Sequence, residues 1–186
     1  MGLAKSTLTA TLREGLSAPI IDPDAIARDL RPDNPGQAAV EAGREALKRQ
    51  AAHLDAGSSF IIETTLSGAT ILQLMEQARR RGFVVRLIFV ALDNPWTNIK
   101  RVAERVANGG HYVPDEDVLR RYDRSMRNLA RAIELADRAI LFDNSTDQGP
   151  REALAIDAGQ IIMRSQDLPA WVTTYLGVFI ARHDQG

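Results

Sequence analysis

The sequence has no cysteine and only three histidines among its 186 residues. The lack of cysteine excludes a disulfide framework, a thiolate nucleophile and a cysteine-based metal site, and it fits a reducing cytoplasm. Because the only histidines are at positions 53, 111 and 183, we do not expect a histidine-based metal site. His111, beside two glycines, is interpreted as a hydrogen-bonding loop residue rather than a catalyst.

An excess of charge of one sign and long apolar runs are also lacking. With 23 basic and 24 acidic residues, the net charge of −1 indicates neither a nucleic acid nor an anionic membrane as a partner. The longest strongly apolar runs, such as residues 87–92, are far shorter than the roughly 20 residues that cross a bilayer. The N-terminus lacks the layout of a signal peptide. We therefore expect a cytoplasmic globular protein, with residues 1–186 forming a single domain.

Short apolar runs alternate with longer helical patterns. The predicted strands are residues 18–22, 59–63, 83–92 and 138–143, with a further strand at 156–163. The predicted helices are residues 36–56, 68–81, 96–107, 115–136 and 169–182. This alternation predicts an α/β fold, a three-layer α/β/α sandwich with a mainly parallel sheet. Ligands of such folds gather beyond the carboxyl ends of the strands. The polar residues at those ends are Asp22, Asp24, Glu63, Thr64, Thr65, Asp93, Asn94, Asp143 and Asn144.

Residues 2–7, GLAKST, look like the second half of a Walker A motif, G-x-x-x-x-G-K-[ST]. In such a loop the backbone N–H groups cradle phosphates, the lysine reaches the β- and γ-phosphates, and the next hydroxyl holds Mg²⁺. The candidate nucleotide-binding residues are Gly2, Ala4, Lys5, Ser6 and Thr7, with Ser6 as the metal ligand. Ala4 replaces the glycine before the lysine, and we expect the first central strand of the sheet to be missing. A simple helix N-cap is the alternative interpretation of this string.

Two carboxylates follow predicted strands. Asp24 lies in IDPDAIA, residues 21–27, where it either caps the following helix or accepts a proton from an attacking hydroxyl. Glu63 closes the apolar run 60–62 and precedes Thr64 and Thr65. It orients Mg²⁺ or water as in a Walker B strand, binds a substrate hydroxyl, or is only solvated. The sequence alone does not decide between these three roles of Glu63.

An arginine-rich segment follows. Arg101 and Arg105 share a helix face, and the glycines at 109–110 interrupt that helix. The next helix carries one arginine stripe, which comprises Arg120, Arg124, Arg127 and Arg131. For Arg127 and Arg131 we favour a solvated basic face. Arg105, Arg120 and Arg121 instead indicate a lid at about residues 100–125, which would neutralise charge at a transferred phosphoryl group.

Together these strings resemble the zeta-toxin-like P-loop kinases, in particular a bacterial branch of predicted ATPases or kinases. The resembling strings are KSTL (5–8), DPDAIA (22–27), ETTLSG (63–68), RVAERV (101–106), GGH (109–111), RRY (120–122), RNL (127–129) and FDNS (142–145). The resemblance implies a P-loop kinase fold, ATP with Mg²⁺, and phosphorylation of a hydroxyl on a small molecule. In zeta toxins that molecule is UDP-N-acetylglucosamine, which makes a UDP-N-acetyl sugar a candidate substrate. The resemblance also implies an antitoxin protein as a partner.

By position, the resemblance assigns the roles. Lys5 and Ser6 take the phosphate and metal roles, and Asp24 is the base. The remaining assignments are substrate binding by Glu63, Thr64 and Thr65, lid catalysis by Arg105 with Arg120 or Arg121, and nucleotide binding by Asn144. Asp22 stands where this branch usually has asparagine. The alternative hypothesis is a catalytically inactive, truncated nucleotide-fold remnant that acts as a binding module.

Overall fold

The computed structural model describes residues 18–97, residue 99, and residues 114–146 and 148–184. The chain divides into two compact units, with a boundary between Thr65 and Leu66. The predicted phosphate loop, most of the predicted helix at 96–107 and Arg105 lie outside the described residues.

The first unit contains two short strands and two helices. Its elements are β1 (Ile20–Ile21), α1 (Pro23–Leu30), a 3₁₀ turn (Pro35–Ala38), α2 (Ala39–Ala56) and β2 (Ile61–Ile62). The two strands pair in parallel, with Ile21 opposite Ile62. Proline suits the first turn of α1 because that position needs no N–H donor. The small core combines Ile21 and Ile26 with the alanines of both helices.

The second unit is built on a four-stranded sheet. Its elements are α3 (Ala69–Arg80), β3 (Arg86–Ala91), α4 (Asp115–Leu135), β4 (Arg138–Asp143), β5 (Arg151–Asp157), β6 (Gln160–Arg164) and α5 (Ala170–His183). The strand order is β3-β4-β5-β6. β3 runs parallel to β4, with Ile88 opposite Ile140, whereas β5 and β6 continue the sheet antiparallel.

The core of this unit lies between the sheet and its helices. Leu129 of α4, Leu141 of β4, Leu154 of β5 and Leu176 of α5 are fully buried. The apolar side of α4 faces inward as its 3.6-residue period predicts. This packing holds the carboxyl ends of β3 and β4 in fixed positions.

The hairpin of β5 and β6 differs from the single strand predicted at 156–163. Ala158 and Gly159 form the turn, with φ angles of 46° and 78°. Positive φ at both positions is the geometry of a two-residue hairpin turn, for which Asn-Gly is the usual sequence signal. Here Ala158 stands in place of the asparagine, so the sequence did not indicate a turn at this point. Beyond the turn, the β5–β6 ladder shifts register, so that Ile161 and Met163 face Ile156 and Ala155 and Ile162 is left over.

The other predicted elements that lie in the described residues are confirmed within a few residues, and the α/β class with them, whereas the helix predicted at 96–107 stays a prediction. Within the part of the chain that the structure describes, no helix has the length and apolar character that crossing a membrane requires.

Candidate functional site

Asp22 and Asp24 follow β1 at its carboxyl end. The Asp22 side chain caps α1, because its Oδ1 accepts the backbone N–H of Asp24 at 2.9 Å. Arg28 approaches the other Asp22 oxygen at 3.8 Å. The capping role that the sequence left open for Asp24 is therefore filled by Asp22. Aspartate and asparagine cap helices about equally well, so Asp22 can stand where the resembling family has asparagine.

Asp24 lies in the first turn of α1 and is exposed. Among the described residues, no group donates a hydrogen bond to its carboxylate. The amino end of a helix carries partial positive charge, which favours a carboxylate at this position. Asp24 is thus an accessible carboxylate placed just beyond a strand.

Glu63 follows β2 on the same edge. Its backbone N–H donates to the carbonyl of Ile21 at 3.2 Å, which continues the parallel ladder past β2. Because the two strands are parallel and in register, Glu63 and Asp22 leave the sheet at the same end. The Glu63 side chain is half-buried, Thr64 is exposed and Thr65 is half-buried. In the first unit, these residues and Asp24 therefore follow β1 or β2 at the same end of the paired strands.

The arginines predicted for the lid lie near the start of α4. Arg120 is exposed and its guanidinium contacts Asp117 at 2.6 Å. Arg121 is exposed and has no ion-pair partner among the described residues. Arg127 pairs with Asp123, and Arg131 pairs with Glu76 and Glu134, all at the surface. The interpretation of Arg127 and Arg131 as a solvated face agrees with these pairs.

Asn144, a predicted nucleotide-binding residue, is buried at the carboxyl end of β4. Its backbone N–H donates to the carbonyl of Ala91 at 2.8 Å, which joins the ends of β3 and β4. The neighbouring Asp143 is 1% exposed. This carboxylate accepts hydrogen bonds from Ser145 Oγ at 2.5 Å, Arg151 Nε at 3.1 Å and Trp171 Nε1 at 3.3 Å. Sequence reasoning noted Asp143 only as a polar residue after a strand and missed this anchoring role.

Sequence reasoning also missed a pocket beside the end of β3. Tyr122 Oη donates to the carbonyl of Leu92 at 2.8 Å, and Asp93 Oδ1 accepts the backbone N–H of Trp171 at 3.1 Å. Burial raises the pKa of Tyr122 to about 12, with smaller contributions from Tyr175, Asp93 and Asp143. One sign of this pocket was present in the sequence, the position of Asp93 directly after the strand predicted at 83–92. Its partners, 29 and 78 residues away, could not be read from the sequence.

The family match and the fold support a nucleotide-binding, kinase-like role for this α/β protein. A family described as an AAA domain matches residues 1–131, and the chain belongs to this family. An uncharacterised protein of Haemophilus influenzae is 35% identical over 121 residues, which are 65% of this chain and 86% of that protein.

A solved structure has the same fold. It comes from a characterisation of the PezAT chromosomal toxin–antitoxin system of Streptococcus pneumoniae. The two chains superpose with a TM-score of 0.57 at 13% identity, over 100% of this chain and 81% of the other. The predicted resemblance to zeta-toxin-like P-loop kinases is confirmed for the family and the fold. The roles of individual residues stay predictions.

Proposed function

We propose that this protein is a cytoplasmic, ATP-dependent phosphotransferase of zeta-toxin type that phosphorylates a hydroxyl of a small molecule. The family and the fold support a nucleotide-binding, kinase-like role. The finer proposal rests on the different positions of the two aspartates that follow β1. Asp22 caps the helix, and the exposed Asp24 carboxylate is left to act on a ligand.

Asp24 acts as the general base in this proposal. It accepts the proton of the acceptor hydroxyl while the hydroxyl oxygen bonds to the γ-phosphorus of ATP and the bond to ADP breaks. Glu63, with Thr64 and Thr65, binds the acceptor. Carboxylates and hydroxyls at the end of β2 suit the hydroxyl-rich surface of a sugar, and a UDP-N-acetyl sugar is the candidate acceptor.

The phosphates are bound by the segment that contains Lys5 and Ser6. Arg105, Arg120 and Arg121 neutralise charge on the transferred group, and Asn144 contributes to nucleotide binding. The described residues contain no group of three or more carboxylates or histidines that would hold a metal ion alone. Proteins commonly hold Mg²⁺ with one or two ligands of their own together with phosphates and waters. Mg²⁺ would neutralise phosphate charge, with the Ser6 hydroxyl as its protein ligand.

An antitoxin protein is the partner that this proposal implies. The structural neighbour belongs to a toxin–antitoxin system, which supports the idea by analogy of fold.

The test compares two neighbouring acids on α1. Asp24→Asn removes the proposed base, whereas Asp29→Asn changes another exposed acid of the same helix. We expect Asp24→Asn to lower single-turnover transfer from labelled ATP by roughly 10²–10⁴-fold. ATP affinity should stay nearly unchanged, and Asp29→Asn should behave as wild type. The acceptors are UDP-N-acetylglucosamine and a panel of other sugar nucleotides.

Equal rates in the two variants would remove Asp24 from the mechanism. Wild-type protein that binds Mg-ATP but transfers phosphate to no acceptor would favour the binding module. Ala4 supports that second candidate, because glycine best tolerates a close approach of backbone to phosphate.

A further inference from the structure

The pocket beside β3 has the size of a small-molecule site. Its volume is about 380 Å³, and its lining includes Asp93, Tyr122, Asp123, Trp171 and Tyr175. Small-molecule pockets commonly span ~300–1,000 Å³. The lining comes from the end of β3, the first half of α4 and the start of α5. All of these residues belong to the second unit.

The charged groups of this pocket are acidic. Asp93 Oδ1 accepts the Trp171 backbone N–H, whereas Asp93 Oδ2 has no donor among the described residues. Asp123 contacts Arg127 at 3.0 Å, but both side chains are largely exposed, so water screens the pair. No lysine, arginine or histidine belongs to the lining that the structure describes. Negative charge in the pocket is therefore only partly balanced.

The aromatic side chains of the pocket also favour a positively charged ligand. Tyr122, Trp171 and Tyr175 line the pocket, and the faces of aromatic rings attract cations. Burial is the main cause of the raised pKa of Tyr122, and Tyr175, Asp93 and Asp143 add smaller contributions that also disfavour a negative charge there. Among the described lining residues, a phosphate in this position would face carboxylates without a compensating cation.

We propose that this pocket binds a small organic cation, an ammonium or guanidinium group carried on an apolar body. The charged group contacts Asp93 Oδ2, and the apolar body packs against the rings of Tyr122 and Tyr175. The ligand class differs from the anionic nucleotides of the proposed kinase reaction. The binding test is therefore independent of phosphotransfer.

Three probes of similar shape and different charge test the proposal. The probes are 2-phenylethylamine, 2-phenylethanol and 3-phenylpropanoate, which are a cation, a neutral molecule and an anion at pH 7. Binding to the full chain is followed by NMR through the backbone amide of Trp171, which donates to Asp93. We expect the amine to bind at least tenfold more tightly than the alcohol, and the carboxylate not to bind.

Two variants and one control locate the site. Asp93→Asn keeps an oxygen for the Trp171 N–H and removes the charge, so amine affinity should fall at least tenfold. Tyr175→Leu removes a ring and leaves both carboxylates, and it should also weaken binding. Asp184→Asn changes an exposed acid paired with Arg164 at the end of α5, and it should bind the amine as wild type.

Equal binding of the amine and the alcohol would overturn the proposal. So would wild-type affinity in folded Asp93→Asn and Tyr175→Leu proteins, with folding checked by thermal melting. Binding of a lysine-containing peptide without binding of the free amine would also overturn it, in favour of a protein-docking surface.

Discussion

Replacement of Asp143 by alanine should destabilise the second unit strongly, because three donors lose one buried acceptor. A charge-assisted hydrogen bond such as that from Arg151 contributes ~1.5–3 kcal/mol. Arg151 is 45% exposed in its side chain, so water replaces part of that contribution. The indole N–H of Trp171 has no such access, since Trp171 is 2% exposed. An unsatisfied buried donor costs ~1–3 kcal/mol.

Together these effects predict a loss of about 3 kcal/mol in the free energy of unfolding. For a protein of this size, each kcal/mol shifts Tm by ~2–4 °C, so the melting temperature should fall by about 6–12 °C. Asp143→Asn should lie between alanine and wild type. It keeps an oxygen for the indole but sets an amide against Arg151.

Urea unfolding followed by tryptophan fluorescence measures this loss in the correct unit, because Trp96 and Trp171 both belong to it. The control is Asp184→Ala, which breaks an exposed ion pair with Arg164. Such surface pairs contribute ~0–1 kcal/mol. If both alanine variants shift the urea midpoint equally, the Asp143 network does not stabilise the unit and the reasoning is wrong.

Two pH dependences follow from shifted pKa values. Burial raises the pKa of Tyr122 from 10.0 to about 12, so the stability given by its neutral hydroxyl is present below pH 10 and lost as the pH rises towards 12. The unfolding free energy of Tyr122→Phe should therefore approach that of wild type over this range, and a constant difference would contradict the assignment. The hydrogen bond from Arg138 lowers the pKa of Asp157 below its ordinary value of 3.8, so this pair stabilises above that pH and is lost below it. Asp157→Asn should differ slightly from wild type in urea unfolding at pH 6 and converge with it near pH 2; a difference that persists at pH 2 would point to another cause.

Sequence patterns predicted the elements whose signals are local. The helix Asp115–Leu135 and the strand Arg138–Asp143 were found within one residue, because an amphipathic period and a continuous apolar run identify them directly. Strand–helix alternation also predicted parallel strands, which are found in the pairs β1–β2 and β3–β4. These predictions needed only neighbouring residues.

The remaining features depend on contacts between distant residues. In the sequence, Asp143 could not be distinguished from any acid at the end of a strand. Its structural role depends on the hydrogen bond from the indole of Trp171, which lies 28 residues later. The pocket forms because Asp93, Tyr122 and Tyr175 come together in the fold, and no periodicity of the sequence predicts that they do. Asp24 could not be separated from a helix cap until Asp22 was seen to fill that position.

The register shift in the β5–β6 hairpin has a consequence for aggregation. β6 ends the strand order of its sheet, and Ile162 on it is 62% exposed. A long, flat and apolar outer strand is a template on which another chain can add its own strand. Here the strand has only five residues, ends in Arg164, and is interrupted by the bulge beside Ile162. A bulge bends its strand and increases the local twist. A neighbouring chain would therefore find few backbone groups in line with which to pair, and the exposed isoleucine is kept from seeding intermolecular sheets.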